Sequence, residues 1–187
     1  MNANQQGVDA RNVAGRWLTV SRTLCFVTQG TDVLLMKRSD NRRIFPGRYN
    51  GLGGHVERGE DPLRCAQREI AEESGLHIPL SALRMRGVSV IDAGQATGIT
   101  LFIFTAMVSV RLRGDLIPEC NEGTLHWVAI DQALKLSLVD DLPILWPRLF
   151  PEQRPLPDNQ PVMSFFAQVA YDNQDQLIMR FTDQESV

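Results

Sequence analysis

Three glutamates, Glu69, Glu72 and Glu73, crowd one short stretch of the chain. At about 100° per residue they span an arc of about 100° on a helix. Like charges three and four residues apart repel, so the arrangement costs helix stability unless something offsets it. A hard divalent cation bound through oxygen is the natural partner, and magnesium takes a few carboxylates together with substrate phosphates. Such an ion neutralises a phosphate chain and acidifies a bound water. Phosphoryl transfer needs little more, because it rests mainly on positioning and electrostatics. Taken alone, the glutamates are more simply read as the solvated face of an acidic helix.

The surrounding residues define the element that carries them. Asp61 suits an N-cap, Pro62 the first helical position and Gly75 the C-terminal cap. Leu63, Ala66 and Ile70 form an apolar stripe beside the acidic arc, so one side of this helix docks on a sheet. Before it, RSDNRRIFPGRYNGLGGHVERGED reads as loop with a short strand around residues 50–56. The second half of RWLTVSRTLCFVTQG and the run Val33–Met36 read as strands, with MRGVSVID and GITLFIFTAMVSVRL as central ones. GTLHWVAI is a further strand, DDLPILWPRLF a helix capped by Asp140 or Asp141, and SFFAQVAYDNQDQLIMRF a hairpin turning at Asp172-Asn173.

Between Gly54 and Leu76 the chain reads GHVERGEDPLRCAQREIAEESGL. It resembles the Nudix box, Gly-x5-Glu-x7-Arg-Glu-U-x-Glu-Glu-x-Gly-U with U aliphatic, at every fixed position. A chance match has a probability on the order of 10⁻⁷. The resemblance implies an α+β Nudix fold, a mixed β-sheet sandwiched between helices (α/β/α) with the box as a loop–helix–loop. It implies Mg2+, with Mn2+ able to substitute, on Glu69, Glu72, Glu73 and the Gly53 carbonyl. Glu69 is the first candidate for the base that activates water, and Glu60 and Arg68 match the pair that orients the catalytic helix.

The stretches GRYNGLGGHVERGE and ECNEGTLHWV are similar to the MutT-like subgroup, hydrolases of oxidised purine nucleoside triphosphates. In that subgroup a glutamate five residues before a strand tryptophan is a further metal ligand. Counting back from Trp127 gives Glu122, with Glu119 as the nearby alternative and an exposed loop acid as the plain reading. Asn50 matches a purine-reading asparagine, and Asp140-Asp141 a paired aspartate. An amide both donates and accepts, and two adjacent carboxylates share a proton, so the set suits more than one oxidised base. Helix capping and a turn role are the structural alternatives. Thr23 and Lys37 match pocket-lining positions, or are ordinary strand residues. The sequence departs from its relatives at Leu138, where they often carry a tryptophan that stacks on the base. His55 reads as a loop histidine, and Phe102, Phe104, Phe165 and Phe166 as core.

The implied reaction converts a nucleoside triphosphate, best an oxidised purine such as 8-oxo-dGTP, to a monophosphate and pyrophosphate. The alternatives are another nucleoside diphosphate derivative, such as ADP-ribose or a dinucleoside polyphosphate, or a sensing module that binds without cutting. The 187 residues, 43% hydrophobic and 22% charged, suit one soluble domain over residues 17–187 after a disordered polar tail, 1–16. A net charge of −3 gives no general attraction to polymeric nucleic acid or anionic membrane, so a phosphate-rich partner needs a local cationic site or bound metal. Three cysteines without CxxC spacing signal neither zinc nor a redox pair. MNANQQGVDARNVAGRW holds no signal-peptide core, and a cytoplasmic location follows as the expectation.

Overall fold

The computed structural model describes residues 13–108, 119–120, 122–151 and 164–182. Residues 1–12 of the expected tail lie outside the described residues, as does the TDQESV end apart from Thr182, whereas residues 13–16 form a turn closed by Arg16 N–H donating to the Val13 carbonyl (3.1 Å). Strand β1 (Leu18–Gln29) turns at Gly30 into β2 (Asp32–Arg38), followed by the short β3 (Tyr49–Asn50). Helix α1 (Pro62–Ser74) comes next, then β4 (Leu83–Ile91), β5 (Thr97–Met107), β6 (Glu119–Cys120) and β7 (Gly123–Ala129). Helix α2 (Leu142–Leu149) and the hairpin β8 (Phe165–Tyr171)–β9 (Leu177–Phe181) complete the described elements. These strands form one sheet in the order β6-β7-β2-β1-β5-β4-β8-β9, with β3 pairing β2. The β1–β5 and β4–β8 pairs are parallel and the others antiparallel, so the sheet is mixed.

Alternation along the strands divides the core into two layers. Cys25, Val27, Leu34, Met36 and Phe104 face α1, whose Ala66 and Ile70 are fully buried against them. Burying Ile70 contributes roughly 1.5–3 kcal/mol relative to leaving it in water. Leu24, Phe26, Leu35, Leu101 and Ile103 face the other way and take Leu142, Leu145, Trp146 and Leu149 of α2. Helices therefore cover opposite faces of the sheet, as the α/β/α expectation has it. No helix among the described residues is long and apolar enough to cross a membrane.

Helix α1 is punctuated as its sequence predicts. Asp61 Oδ1 accepts from the N–H groups of Leu63 (2.9 Å) and Arg64 (3.0 Å), and Gly75, at φ 75°, donates to the Ala71 carbonyl. Cys25 and Cys65 are buried, as expected of small core residues. Three local expectations fail. The strand expected over residues 50–56 stops at Asn50 and survives only as single bridges, Cys25 to Leu52 and Arg22 to His55, because Gly53 at φ 140° breaks the pleat. Asp141 stands at the N-cap of α2 with helical backbone angles and no capping bond, while Asp140 is ion-paired to Arg48. The phenylalanines do not form one cluster: Phe104 and Phe165 are buried in different layers, and Phe166 is 58% exposed.

Candidate active site

Strands β1 and β2 pair only over Val27–Gln29 and Asp32–Leu34, then part. Residues 49–56 fill the fork. Cys25 and Leu52 exchange both backbone hydrogen bonds (2.7 and 2.9 Å), Thr23 N–H donates to the Gly54 carbonyl (2.9 Å), and Val56 N–H to that of Ser21 (3.0 Å). This seam holds Gly53 and Gly54 over the acidic side of α1. A Cβ at Gly53 would lie 2.3 Å from the Thr23 carbonyl oxygen, and one at Gly54 would lie 2.3 Å from Glu69 Oε1. Gly53 lets the seam lie tight against the backbone of β1, and Gly54 lets it approach Glu69 so closely.

Gly53 N–H donates to Glu73 Oε2 at 2.8 Å, and Glu73 is only 8% exposed. Burial pushes its carboxyl up to about 8, against the pull of that N–H, and Glu69 and Glu122 add to the rise. Glu69 is raised too, first by burial and then, against the pull of Arg68, by Glu72 and Glu122. Arg68 lies at the centre of the array. Its Nη2 donates to Glu60 Oε1 (2.7 Å) and the His55 carbonyl (3.1 Å), and its Nη1 to Glu69 Oε1 (2.8 Å) and Glu72 Oε2 (3.1 Å). Arg68 and the Glu57 N–H together hold Glu60 down at about 2. Glu72 is the outlying member, its side chain 59% exposed. Glu122, in the turn before β7, accepts from Arg42 Nη2 (2.8 Å) and Arg38 Nη1 (3.4 Å).

Buried carboxylates that raise one another are unfavourable unless a proton or a cation joins them. The all-oxygen donor set of Glu69, Glu73 and Glu122 therefore suits a hard divalent ion. As they stand, no three acidic, histidine or cysteine side chains among the described residues enclose one. Arg68 occupies Glu69 and Glu72, the Gly53 N–H occupies Glu73, and two arginines occupy Glu122.

The remaining expected residues are spread around this centre. Thr23 is buried on the α1 face with its Oγ1 3.4 Å from Cys65 Sγ. Lys37 is exposed on β2, opposite Tyr49 and Thr124. Asn50 lies opposite Met36 and turns its Oδ1 to the Gly51 N–H (2.9 Å). A parallel bridge from Tyr49 to Leu138 brings the segment before α2 alongside β3. Leu138 itself is only 6% exposed, a core residue with no ring face to offer. Asp141 is half-buried, its Oδ1 shielded from solvent and unpartnered among the described residues, and burial lifts its carboxyl to about 6. The side chain of Glu119 lies outside the described residues.

Sequence reasoning passed over several groups. Tyr171, 40% exposed at the end of β8, has its phenol raised by burial and by the nearby Asp141 and Asp140. Arg22 donates to His55 Nε2 from both Nε (3.1 Å) and Nη2 (2.9 Å). The readable signal was density: Arg38 ends β2, and Arg42, Arg43 and Arg48 follow in the short loop before the box. A cavity of about 580 Å3 opens near Thr28, Gly30 and Met107, beyond the other end of β1. Its lining contains no acidic side chain, so it is not the site of this chemistry.

Comparison with known proteins agrees with this architecture. The NUDIX domain model matches residues 18–149, well over half the chain. The chain is similar to m7GpppN-mRNA hydrolase NUDT17 of Xenopus laevis, 35% identical over 78 residues, 42% of this chain and 26% of that protein. It is also similar to nucleoside triphosphatase NudI of Salmonella arizonae, 48% identical over 48 residues, 26% of this chain and 34% of that protein. These matches thus span about a quarter to a third of the curated relatives. In fold it resembles the MutT protein of Bacillus halodurans with a TM-score of 0.68 and 22% identity, over 88% of this chain and 99% of that one. A mixed sheet between helices, a complete box and a domain-length match together place this chain in the Nudix family.

Proposed function

We propose that this chain is a divalent-metal-dependent Nudix pyrophosphohydrolase that cleaves a nucleoside triphosphate between its α and β phosphates, with an oxidised purine nucleotide such as 8-oxo-dGTP preferred. The observation that carries the reading is the pair Glu69 and Glu73. They are carboxylates withdrawn from water, held at the Gly53–Gly54 seam and within the field of Glu122. An ion pair of purely structural use would not keep so many like charges together.

Glu69, Glu73 and Glu122 would hold Mg2+, or Mn2+, with Glu72 and the Gly53 carbonyl as further oxygens. When bound, the ion neutralises phosphate charge and acidifies a water. Glu69 accepts the proton of the attacking water, and its raised carboxyl brings it nearer to neutral pH, where a general base works best. Arg68, fixed by Glu60, sets the position of Glu69. The water oxygen bonds to the α phosphorus, the α–β bridging P–O bond breaks, and pyrophosphate departs. Asn50, Asp140 and Asp141 read the base, Asp141 being able to donate when protonated and accept when ionised. Thr23 supports the seam from beneath, and Lys37 lies at the rim.

A second reading, cleavage of a capped RNA end, is supported by the name of the Xenopus relative. A panel containing 8-oxo-dGTP, dGTP, 2-hydroxy-dATP, ADP-ribose and a capped oligoribonucleotide, incubated with magnesium, separates the two. The proposal expects pyrophosphate release, fastest from an oxidised triphosphate. Preference for the capped RNA or ADP-ribose overturns the assigned substrate and leaves the box chemistry standing.

A further inference from the structure

Two guanidinium groups converge on one carboxylate at the fork between β1 and β2, and a third, Arg22, lies within their field. Arg38 and Arg42 share Glu122, at 3.4 and 2.8 Å. Arg22 has a neutral partner: both of its donating nitrogens address the same His55 Nε2, so that nitrogen is an acceptor and the imidazole leaves the guanidinium charge unbalanced. Arg22 and Arg38 lie close enough to repel. Burial, then Arg38, holds Arg22 below its ordinary value, and Glu122 opposes this. Positive charge is thus concentrated next to the acidic centre, in a chain whose net charge is −3.

From this juxtaposition we infer that Arg22, Arg38 and Arg42 form a site for the terminal phosphates of the substrate, the pair that departs as pyrophosphate. The inference rests on the triphosphate reading above and sharpens it to substrates with a free phosphate terminus. Guanidinium forks match phosphate oxygens bidentately. A group carrying several negative charges relieves the Arg22–Arg38 repulsion and supplies the balance that Glu122 alone does not. Glu122, within the fields of both Glu69 and Glu73, links this cationic pocket to the carboxylates of α1. ADP-ribose, whose phosphates are both esterified, places no terminal phosphate there.

The test is calorimetric titration of the full chain with inorganic pyrophosphate and, separately, with AMP, both in the presence of magnesium. Wild type, Arg22→Gln, Arg42→Gln and the double variant are compared. Each lost guanidinium should weaken pyrophosphate binding by roughly tenfold while AMP binding holds. Arg22→Lys, which retains the charge, should recover part of the loss, and thermal melts check that each variant folds. An unchanged pyrophosphate affinity in the double variant, an equal loss for AMP, or no pyrophosphate binding by the wild type overturns the site. Arginine-dependent pyrophosphate binding without hydrolysis of any nucleotide would uphold the site and reject the enzymatic reading instead.

Discussion

The acidic side of α1 and the acidic N-terminus of α2 both carry neighbouring carboxylates beside the sheet, yet they are built in opposite ways. On α1 every carboxylate has a partner: Arg68 gathers Glu69 and Glu72, together with Glu60 from the preceding loop, and the Gly53 N–H fixes Glu73. At α2, Asp140 pairs with Arg48 while the half-buried Asp141 has a shielded oxygen without a partner among the described residues. The first region is a framework with fixed distances, suited to chemistry on a phosphate chain that every substrate shares. The second holds an unsatisfied group in reserve, which suits the base-reading role proposed for it. Rigidity and unfilled hydrogen-bonding capacity are thus divided between the two faces of one sheet.

The contrast breaks most sharply at Glu73. Glu73→Gln should lower turnover by about 100-fold, the upper range for disturbing groups that orient a metal site. It should also raise the melting temperature by about 2–4 °C, because the amide still accepts from the Gly53 N–H without the cost of protonating or desolvating a carboxylate. A fall in both would mean that Glu73 is a structural anchor only. Gly53→Ala tests the seam. The new methyl meets the Thr23 carbonyl, and a loss of about 3 kcal/mol is expected in urea unfolding.

Asp141 supplies the pH dependence. Its folded value of about 6 stands above the ordinary 3.8, so its stabilising contribution is complete below about pH 4 and is lost as pH rises through 6. Relative to Asp141→Asn, the wild type should therefore lose on the order of 2 kcal/mol between pH 4 and pH 7, read from paired melts. Parallel pH curves would show that folding does not desolvate the Asp141 carboxyl. The smallest effect concerns Leu138. Introducing the tryptophan of its relatives should cost about 1–2 kcal/mol by overpacking and bring no gain in preference for an oxidised base. A gain would place that side chain in the pocket after all.

The same two regions differ in how far their sequences announced them. The α1 framework was legible because its parts are local: a cap at Asp61, a stop at Gly75, and Arg68 within reach of Glu60, Glu69 and Glu72. The burial of Glu73 was less so, since periodicity puts it beside the apolar stripe and only the seam at Gly53 shows it covered. At α2 the expectation of capping failed because Arg48, far away in sequence, takes Asp140. Thr23 turned toward Cys65 under α1, a choice set by strand phase. The Arg22–His55 pair depends on a bridge across the fork that no local pattern encodes. Residues set by spacing along one helix were readable; those set by which strands part, and where, were not.

The most direct test compares wild type with Glu69→Gln for magnesium-dependent pyrophosphate release from 8-oxo-dGTP, with nucleotide binding followed in parallel. The account predicts clear release by the wild type and a loss of about 10²–10⁴-fold in the variant, with binding retained. Equal release by the two proteins, or none by the wild type from any nucleotide, would contradict it.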